Sequence, residues 1–294
     1  MGMSIRRAHS KLTCLPLLLA LGLAQLALAC GPDGAPHARQ VVRDTHAGEV
    51  KSIVLDDIKR HLRGVQKAGD KIGRGFAVED AKVRREQMRM ALRLLSRPPR
   101  GVPELIGSAR PFLAAVDPAG VVLATDAKQE DDRMSGVQLA TKFAVLRDAL
   151  AGKTGYAIDQ FPALEKGTEG SVSLLFAAPS KRDGQVVGAV LAGIPLWRLA
   201  QRLGKQLQLD HASEKGVILW VYVLHGDKLH HFGTPPDLDS ILPTTQALRT
   251  SLKQSPGGFT GELFQFGRWY GYGVLPIRVL GSDASVMIVR SDPV

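Results

Sequence analysis

Cysteine is almost absent from the chain, with two residues in 294, Cys14 and Cys30. Cys14 falls within the first 29 residues, which have the composition of a removable leader, so a processed chain keeps Cys30 alone. This excludes a disulfide framework and a cysteine-based metal site. Aromatic residues are also few, at 5%, whereas hydrophobic residues make up 45% and charged residues 22%. That balance is typical of a globular protein with one large domain or two small ones.

The usual signatures of catalysis are missing as well. The sequence has no His-Glu-x-x-His and no Gly-x-Ser-x-Gly pattern. The stretch AGKTG, 151–155, lacks the first glycine of a phosphate loop, because Arg147 stands in its place. His225, His230 and His231 form one cluster, but the last two would point to opposite faces of a strand. We therefore predict no enzyme activity, no cofactor and no metal site.

The first 29 residues have the three parts of a secretory signal. Three basic residues lie in MGMSIRRAHSK, an uncharged apolar run follows, and ALAC brings small residues to Cys30. LALAC resembles a bacterial lipobox, although Ala27 stands where that motif usually has leucine. We predict a signal peptide over 1–29 and lipidation of Cys30. Two alternatives stay open: cleavage after Ala29 with soluble export, and an uncleaved anchor helix, since the apolar run approaches the length that spans a bilayer.

The residue after Cys30 is Gly31 and not aspartate. By resemblance to enteric lipoproteins, this favours the outer membrane. No second long apolar run follows the leader. We therefore expect everything after Cys30 to lie on one side of the membrane, in the cell envelope, facing the periplasm or the exterior.

A tether over 30–37, rich in glycine and proline, is predicted to lead into a helical segment over 38–110. Apolar residues recur there at three- and four-residue steps up to about Ala68, and again from about Val78 to Leu95. The positive excess of the chain beyond its leader lies in this segment. A solvated helix face explains that excess, and so does a basic surface that meets a partner or an anionic membrane.

Beyond residue 110 the same order of elements occurs twice. FLAAVDPAGVVLATD, 112–126, predicts a hairpin with an Asp-Pro-Ala-Gly turn, and a helix and three strands follow. VILWVYVLHGDKLHHFG, 217–233, predicts a second hairpin, again followed by a helix and three strands. We therefore predict an α+β fold with two tandem antiparallel-sheet modules, over 111–210 and 211–294, preceded by a long N-terminal helix.

This layout resembles the Cache family of extracytoplasmic sensor domains, which share a PAS-like five-stranded sheet. The resemblance rests on the first hairpin with its Asp-x-x-Gly turn, on LRDALAGKTG at 146–155 and on SLLFAAPSKRDGQVVGAVLAGIPL at 173–196. It is clear in the first module and weaker in the second, and it implies two PAS-like modules in a double-Cache arrangement. It also implies a sensor for amino acids, carboxylates or amines, bound between a sheet and the loop and helix above it.

Candidate ligand-binding residues of the first module are polar groups on the elements that would enclose such a pocket. They are Arg133, Lys142 and Asp159. An arginine suits a carboxylate group of a ligand, and an aspartate suits an ammonium group. Surface charge is the alternative interpretation of each. The neighbouring acidic run, 130–132, is expected to be solvated.

The second module has aromatic residues on its predicted strands. Trp220 and Tyr222 would share a face, as would Tyr270 and Tyr272, either as a ligand cage or as core packing. Arg268 is a further candidate ligand-binding residue, within GRWYGYG. That stretch resembles the Arg-x-Trp-Tyr cluster of amino-acid-binding Cache domains, but it lies in the second module, so the role of that cluster is not transferred.

The leader and the repeated unit together predict a lipoprotein whose modules bind a small-molecule ligand. Relay of binding would need a protein partner, because the sequence reaches Val294 without an output domain. The alternative is an envelope scaffold that docks a partner through its basic helical segment, with Arg84, Arg85, Arg89 and Arg93 as docking residues. No nucleic-acid partner is expected.

Overall fold

The computed structural model describes residues 34–99, 101–106, 112–162 and 170–293. The predicted signal peptide and Cys30 lie outside these residues. Within the described ranges, no helix is both long enough and apolar enough to cross a membrane.

The described chain begins with one long and nearly continuous helix. It consists of α1 (Gly34–Val41), a π-helical turn (Val42–His46) and α2 (Ala47–Ile72), and α3 (Ala81–Leu95) follows after a 3-10 turn. Asp80 caps α3, since its carboxylate accepts a hydrogen bond from the amide of Val83 at 2.8 Å. Helix α1 starts earlier than the predicted start near Ala38, because Ala35 and Ala38 are buried against the second sheet.

The first sheet has five antiparallel strands in the order β2-β1-β5-β4-β3. Its strands are β1 (Phe112–Val116), β2 (Val122–Thr125), β3 (Gly155–Phe161), β4 (Ser171–Arg182) and β5 (Gln185–Pro195). Helix α4 (Ala144–Leu150) lies between β2 and β3, and α5 (Leu196–Asp210) follows β5. The predicted turn forms between β1 and β2, where the amide of Gly120 donates to the carbonyl of Asp117 at 2.9 Å.

The second sheet also has five antiparallel strands, in the order β7-β6-β10-β9-β8. Its elements are β6 (Ile218–His225), β7 (Lys228–His230), α6 (Pro236–Ile241), α7 (Thr245–Gln254), β8 (Phe259–Gln265), β9 (Arg268–Pro276) and β10 (Ala284–Ser291). The two strand orders correspond position by position. The predicted α+β fold, with two tandem modules behind a long N-terminal helix, is therefore confirmed.

One hydrophobic core joins both sheets to the N-terminal helix. Val54, Ile58 and Val65 of α2 belong to this core, as do Phe176 of the first sheet and Val223 of the second. Each of these side chains is nearly or fully buried, and burial of such a side chain contributes about 1.5–3 kcal/mol. The modules therefore do not pack independently, because they share the helix as a common support.

The N-terminal helix touches both sheets at backbone distance. On α2, a Cβ atom at Gly69 would lie 2.4 Å from the carbonyl oxygen of Pro179 in β4. On β9, a Cβ atom at Gly271 would lie 2.3 Å from the amide nitrogen of Arg39 in α1. Only glycine permits either approach. The glycine is on the helix in the first contact and on the strand in the second.

Candidate ligand-binding site

Each sheet has one face on the N-terminal helices and one face beneath its own short helices, which we call the roof face. The first roof face, under α4, consists of Ala114, Val116, Ala157, Phe161, Leu175, Ala177, Ala189 and Leu191. The second roof face, under α6 and α7, consists of Trp220, Tyr222, Leu224, Tyr270, Tyr272, Val274, Met287 and Val289. A ligand bound between sheet and roof would contact these residues.

Aromatic rings pack over part of the first roof face. The ring of Phe161 lies 5.0 Å from that of Phe112 and 5.6 Å from that of Phe143, measured between centroids. The Phe112 ring packs directly on Gly193, where a Cβ atom would come within 2.8 Å of it. These rings therefore fill the space above Gly193 with apolar groups.

The structure does not bring the three first-module candidates together. Arg133 and Lys142 are exposed. Asp159 is half-buried on the roof-face side of β3, and its Oδ1 accepts a hydrogen bond from the amide of Gln160 at 2.8 Å. Among the described residues, no hydrogen bond or ion pair joins any two of the three. Their role in binding stays a prediction.

The expectation of a solvated acidic run is wrong for Asp132, whose side chain is 1% exposed. Its carboxylate accepts hydrogen bonds from the hydroxyl of Ser135 at 2.8 Å, the amide of Thr125 at 3.1 Å and Nη2 of Arg89 at 3.3 Å. Burial acts to raise the pKa of Asp132, but these hydrogen bonds outweigh it and the pKa is lowered. The ionised carboxylate therefore fixes the loop after β2.

Arg89 was predicted to be a docking residue of a basic surface, and this prediction is wrong. The residue is 4% exposed, and its guanidinium donates to the carboxylates of Glu86 and Asp132. Arg89 is buried because its guanidinium pairs with the buried carboxylate of Asp132, and a buried charge without a partner is costly. Of the other three docking candidates, Arg85 is exposed, whereas Arg84 and Arg93 are half-buried.

The prediction that the second-module aromatics share a face is confirmed, and all four belong to the second roof face. Tyr222 and Tyr270 are buried, with 0% and 1% of their surface exposed. Trp220 is half-buried, and its ring lies 5.8 Å from that of Tyr270. Tyr222 and Tyr270 thus form the core of this module, and the role of the aromatics as a ligand cage stays a prediction.

A polar group closes the edge of the second roof face. The hydroxyl of Tyr222 donates to Oδ1 of Asp239 at 3.0 Å, and the hydroxyl of Thr234 donates to the same atom at 3.2 Å. His231 places Nε2 at 3.3 Å from Oδ2 of Asp239. Burial, reinforced by the charge of Asp239, raises the pKa of Tyr222. The phenol therefore remains a hydrogen-bond donor that pins α6 to the sheet.

The predicted divergence of the two adjacent histidines is also observed. His231 faces Tyr222, with ring centroids 5.0 Å apart, whereas Nε2 of His230 is buried without a hydrogen-bond partner among the described residues. Burial lowers the pKa of His230. The two imidazoles therefore do not converge on a common point.

Arg268 forms hydrogen bonds with backbone carbonyls of two chain segments. Its Nη2 donates to the carbonyl oxygens of Asp292 at 2.7 Å and Gly216 at 3.1 Å. These bonds hold the segment after β10 against the loop before β6. Its predicted role toward a ligand stays untested.

An open cleft of about 530 Å³ lies at one end of the second roof face, between α7 and the connection from β9 to β10. We call it the anion cleft, and its polar lining consists of Arg249, Lys253, Arg278, Ser282, Asp283 and Ser285. Its volume is within the range of small-molecule sites in proteins.

The charges that line the anion cleft are not balanced. Arg249 is neutralised, because its Nη1 donates to Asp283 at 2.5 Å and its Nε donates to the carbonyl of Gly226 at 2.8 Å. Lys253 and Arg278 are exposed, and neither forms an ion pair with any residue that the structure describes. The cleft therefore offers two cationic groups beside an existing ion pair, which suits a carboxylate or a similar anion.

Apolar side chains complete the cleft. Leu252, Pro256 and Pro276 contribute to its walls. A ligand with one anionic group and a small apolar body would match this lining. Sequence reasoning missed the site because Lys253 lies on α7 and Arg278 follows β9, and no motif links them.

A second group of titratable residues lies at the opposite end of the module, around the π-helical turn. His46 is fully buried and Arg290 is 2% exposed. Nδ1 of His46 lies 2.9 Å from Glu49, and Nε2 of His211 lies 3.0 Å from the same carboxylate. Arg290 donates from Nη2 to Glu214, and Glu214 also accepts from Nδ1 of His211 at 2.5 Å. The network ties the N-terminal helix to β10 and to the loop after α5.

His46, Glu49 and His211 are also a possible metal-ligand set, since their ligand atoms lie within 4.8 Å of one another. Arg290 argues against it, because its Nη1 lies 3.0 Å from Nε2 of His46 and a guanidinium can only donate. His46 must then carry its proton on Nδ1, the atom that would have to bind the metal. The geometry favours a hydrogen-bond network.

Two five-stranded antiparallel sheets in tandem, each roofed by helices and both supported on one N-terminal helix, form the layout that the resemblance to double-Cache domains implied. No family model matches the sequence, and no curated protein does so either. Solved structures do match in fold, and those described below include ligand-binding and sensory domains of chemoreceptors. The predicted resemblance is therefore confirmed at the level of the fold.

Three solved structures illustrate the likeness. The sensory domain of the Campylobacter jejuni chemoreceptor Tlp3 with isoleucine bound has a TM-score of 0.53 and 9% identity, over 87% of this chain and 96% of that one. The same domain with L-valine has a TM-score of 0.53 and 10% identity, over 92% and 95%. An extracellular ligand binding receptor from Desulfohalobium retbaense has a TM-score of 0.52 and 13% identity, over 84% of this chain and 39% of the receptor.

Proposed function

We propose that the protein is an exported, lipid-anchored sensory subunit that binds a small carboxylate in the anion cleft. The observation that carries the proposal is the presence of Lys253 and Arg278, unpaired among the described residues, in a cleft of about 530 Å³ on a sensor fold. Apolar walls beside these cations favour a ligand with a hydrocarbon side chain, such as an amino acid or a short organic acid.

The connection from β9 to β10 supports a route by which binding would reach the rest of the molecule. Arg278 lines the anion cleft and also a neighbouring cleft bordered by Lys51 and Leu55 of α2. The next residue, Val279, accepts a hydrogen bond from the hydroxyl of Tyr156 in the first module at 2.7 Å. A ligand that moves this connection would therefore act on the N-terminal helix and on the other module together.

The leader supports the anchoring part of the proposal. The tripartite pattern and ALAC place Cys30 four residues before the start of α1. In this proposal the lipid fixes the protein to the outer membrane, and a protein partner in the envelope receives the signal. Intact-mass measurement of the protein produced from the full-length gene tests the lipid directly.

A thermal-shift screen tests the ligand. We expect amino acids or short organic acids to raise the melting temperature, by linkage of binding to folding. The double variant Lys253→Glu, Arg278→Glu should abolish that shift, because both cations of the cleft are reversed. Lys142→Glu is the matched control, since it reverses an exposed cation on the first module. A shift lost in the control and kept in the double variant would move the site to the first module, and a screen without any shift would contradict ligand binding.

A further inference from the structure

The turn between β8 and β9 carries an unusual residue. Phe266 and Gly267 both have positive φ, at 53° and 71°, which is the geometry of a two-residue hairpin turn that favours asparagine and glycine. A phenylalanine in this region is an outlier. Phe266 is also 52% exposed, so little packing within the chain offsets the strain. The ring of Phe266 is therefore exposed to solvent, and the strained backbone at this residue lowers the stability of the fold.

Two more aromatic side chains stand beside this turn. Phe264 is 54% exposed and Trp269 is 36% exposed, and their rings lie 5.2 Å apart. We call Phe264, Phe266 and Trp269 the aromatic tip. A cluster of three exposed aromatic residues on one hairpin is unlike the scattered exposed apolar residues of an ordinary surface.

The aromatic tip lies at the start of the N-terminal helix. Along β9, Gly273 approaches Val42, and Gly271 approaches the Ala38–Arg39 backbone. Two strand residues advance about 6.6 Å and four helical residues about 6 Å, so the strand and the helix run in step. One further step toward the turn places Trp269 level with the first residues of α1. The tip and the first described residue of the chain are thus at the same end of the molecule.

The predicted anchor is close to that end. Three residues lie between Cys30 and Gly34, so the two are four steps apart, a span of at most about 14 Å. A lipid on Cys30 would therefore hold the bilayer surface within reach of the aromatic tip. Lys215 is exposed in the loop whose Gly216 carbonyl accepts from Arg268, at the same end. Exposed aromatic rings with an exposed cation at the same end suit the interface of a bilayer.

We propose that the aromatic tip inserts into the interface of the bilayer that carries the Cys30 lipid, so that the second module rests on the membrane in a fixed orientation. This inference depends on the anchoring part of the proposed function. The partner surface is a phospholipid bilayer, because the anchor geometry sets it beside the tip. A second copy of the chain on the same rings is an outcome that the test distinguishes.

Fluorescence quenching by brominated phospholipid measures insertion. The full-length gene is expressed in a bacterial host, and the purified product is reconstituted into vesicles of phosphatidylethanolamine and phosphatidylglycerol. A variant with Trp197→Phe and Trp220→Phe keeps Trp269 as its only tryptophan. We expect brominated lipid to quench a large share of its emission. The matched control, Trp220→Phe with Trp269→Phe, keeps Trp197. This residue lies at the start of α5, about 20 Å along the helix from Asp210, which leads into the loop of Lys215, and its emission should not be quenched.

A substitution at the turn separates the role of the ring from its effect on folding. Phe266→Asn suits the positive φ and should raise the urea midpoint slightly, while it reduces the quenching of Trp269. Phe232→Asn changes another exposed phenylalanine, 58% exposed and stacked on Trp197, and should leave the quenching unchanged. Urea unfolding followed by circular dichroism verifies the fold of each variant.

The outcomes distinguish the proposals. Intact mass shows whether Cys30 carries a lipid. A free thiol at Cys30 would contradict the lipid anchor, but it would not by itself contradict insertion of the aromatic tip. The same product can then be coupled through that thiol to a maleimide phospholipid, and quenching still reports on the tip. Quenching of Trp269 that does not exceed that of Trp197 in anchored protein would overturn the interface proposal. Emission of Trp269 that depends on protein concentration in detergent would assign the tip to a second copy and overturn it as well.

Discussion

The two modules have the same strand order and different contents on their roof faces. The first roof face is aliphatic and carries the rings of Phe112, Phe143 and Phe161. The second carries tyrosine and tryptophan, and the polar group around Asp239 closes its edge. The two modules therefore repeat the strand order but not the kinds of side chain on the roof face.

The supports of the two modules differ in a parallel way. The first sheet meets the helix at Gly69 of α2, and the second meets it at Gly271 of β9. The same close approach is therefore achieved with the small residue on opposite partners. A sequence alignment of the two modules cannot match these positions, because Gly69 lies on α2, outside both modules.

The largest effect is expected from the first-module carboxylate. Asp132→Ala would leave the buried guanidinium of Arg89 with one fewer partner. It would also remove the acceptor of four other donors, which are the amides of Thr125, Met134 and Ser135 and the hydroxyl of Ser135. Loss of one member of a buried ion pair destabilises a protein by about 4 kcal/mol. Urea unfolding measures this change. A loss below about 1 kcal/mol would contradict the structural role of Asp132.

The two glycine contacts come next. Gly69→Ala and Gly271→Ala each force a Cβ atom to within 2.4 Å and 2.3 Å of backbone atoms, and such overpacking destabilises by about 3 kcal/mol. Because one core joins both modules, we expect a single unfolding transition in each variant. Two separate transitions would show that the modules fold independently.

Gly48→Ala is the matched control for Gly69→Ala, the contact variant on the helix. This glycine lies on α2, and a Cβ atom there meets nothing within 4 Å. Alanine in an exposed helix position stabilises by about 1 kcal/mol relative to glycine. The opposite signs of Gly48→Ala and Gly69→Ala separate the effect of close approach from that of helix propensity.

A smaller effect is expected from the second-module carboxylate. Asp239 is one-third exposed and accepts from two neutral hydroxyl groups. Asp239→Asn weakens these bonds without leaving a buried charge, and we expect a loss of about 1 kcal/mol. If this variant were as destabilised as Asp132→Ala, the contrast between the two modules would disappear.

The smallest effect depends on pH. Burial acts to lower the pKa of His211, but hydrogen bonds to Glu214 and Glu49 outweigh it, so the pKa lies above its usual 6.5. The protonated imidazole therefore stabilises the fold fully below pH 6.5, and this contribution is lost as the pH rises through the folded-state pKa.

His211→Gln tests this direction. The variant should lose more unfolding free energy in mildly acidic than in mildly alkaline buffer. The groups that face His211 are Glu49, Glu214 and His46, whose pKa is lowered, mainly by burial. His46 acts in the opposite sense, because below pH 6.5 the unfolded state binds a proton on this residue that the folded state binds only at the lower folded-state pKa. A loss that grows with pH in His211→Gln would contradict the assigned hydrogen bonds.

Local patterns were sufficient to predict most of the fold. The turn at Asp117–Gly120 and the apolar runs of β4 and β5 have short-range signatures, and the repeat follows from the order of such elements. The burial of Asp132 has no such signature, because it depends on Arg89, far earlier in the chain. Its exposed neighbours Glu130 and Asp131 gave the segment the appearance of a solvated run.

The candidate site was beyond reach of the sequence for a related reason. Lys253 and Arg278 are placed together only when β9 pairs with β10 and α7 folds over them. The aromatic candidates could be predicted to share a face from period two alone. That Tyr222 and Tyr270 would be buried depends on α6 and α7 above them, which periodicity cannot reveal.

The π-helical turn at Val42–His46 adds one residue to a helix that must serve two sheets. An α-helix turns by about 100° per residue, and the extra residue therefore resets the angular phase between α1 and α2. Deletion of the exposed Thr45 would restore the regular phase and rotate α1 by about 100° relative to α2, so that Ala38 and Val42 would no longer meet the glycines of β9. The turn thus works as a phase correction, and it sets the rotational alignment between the two ends of the molecule.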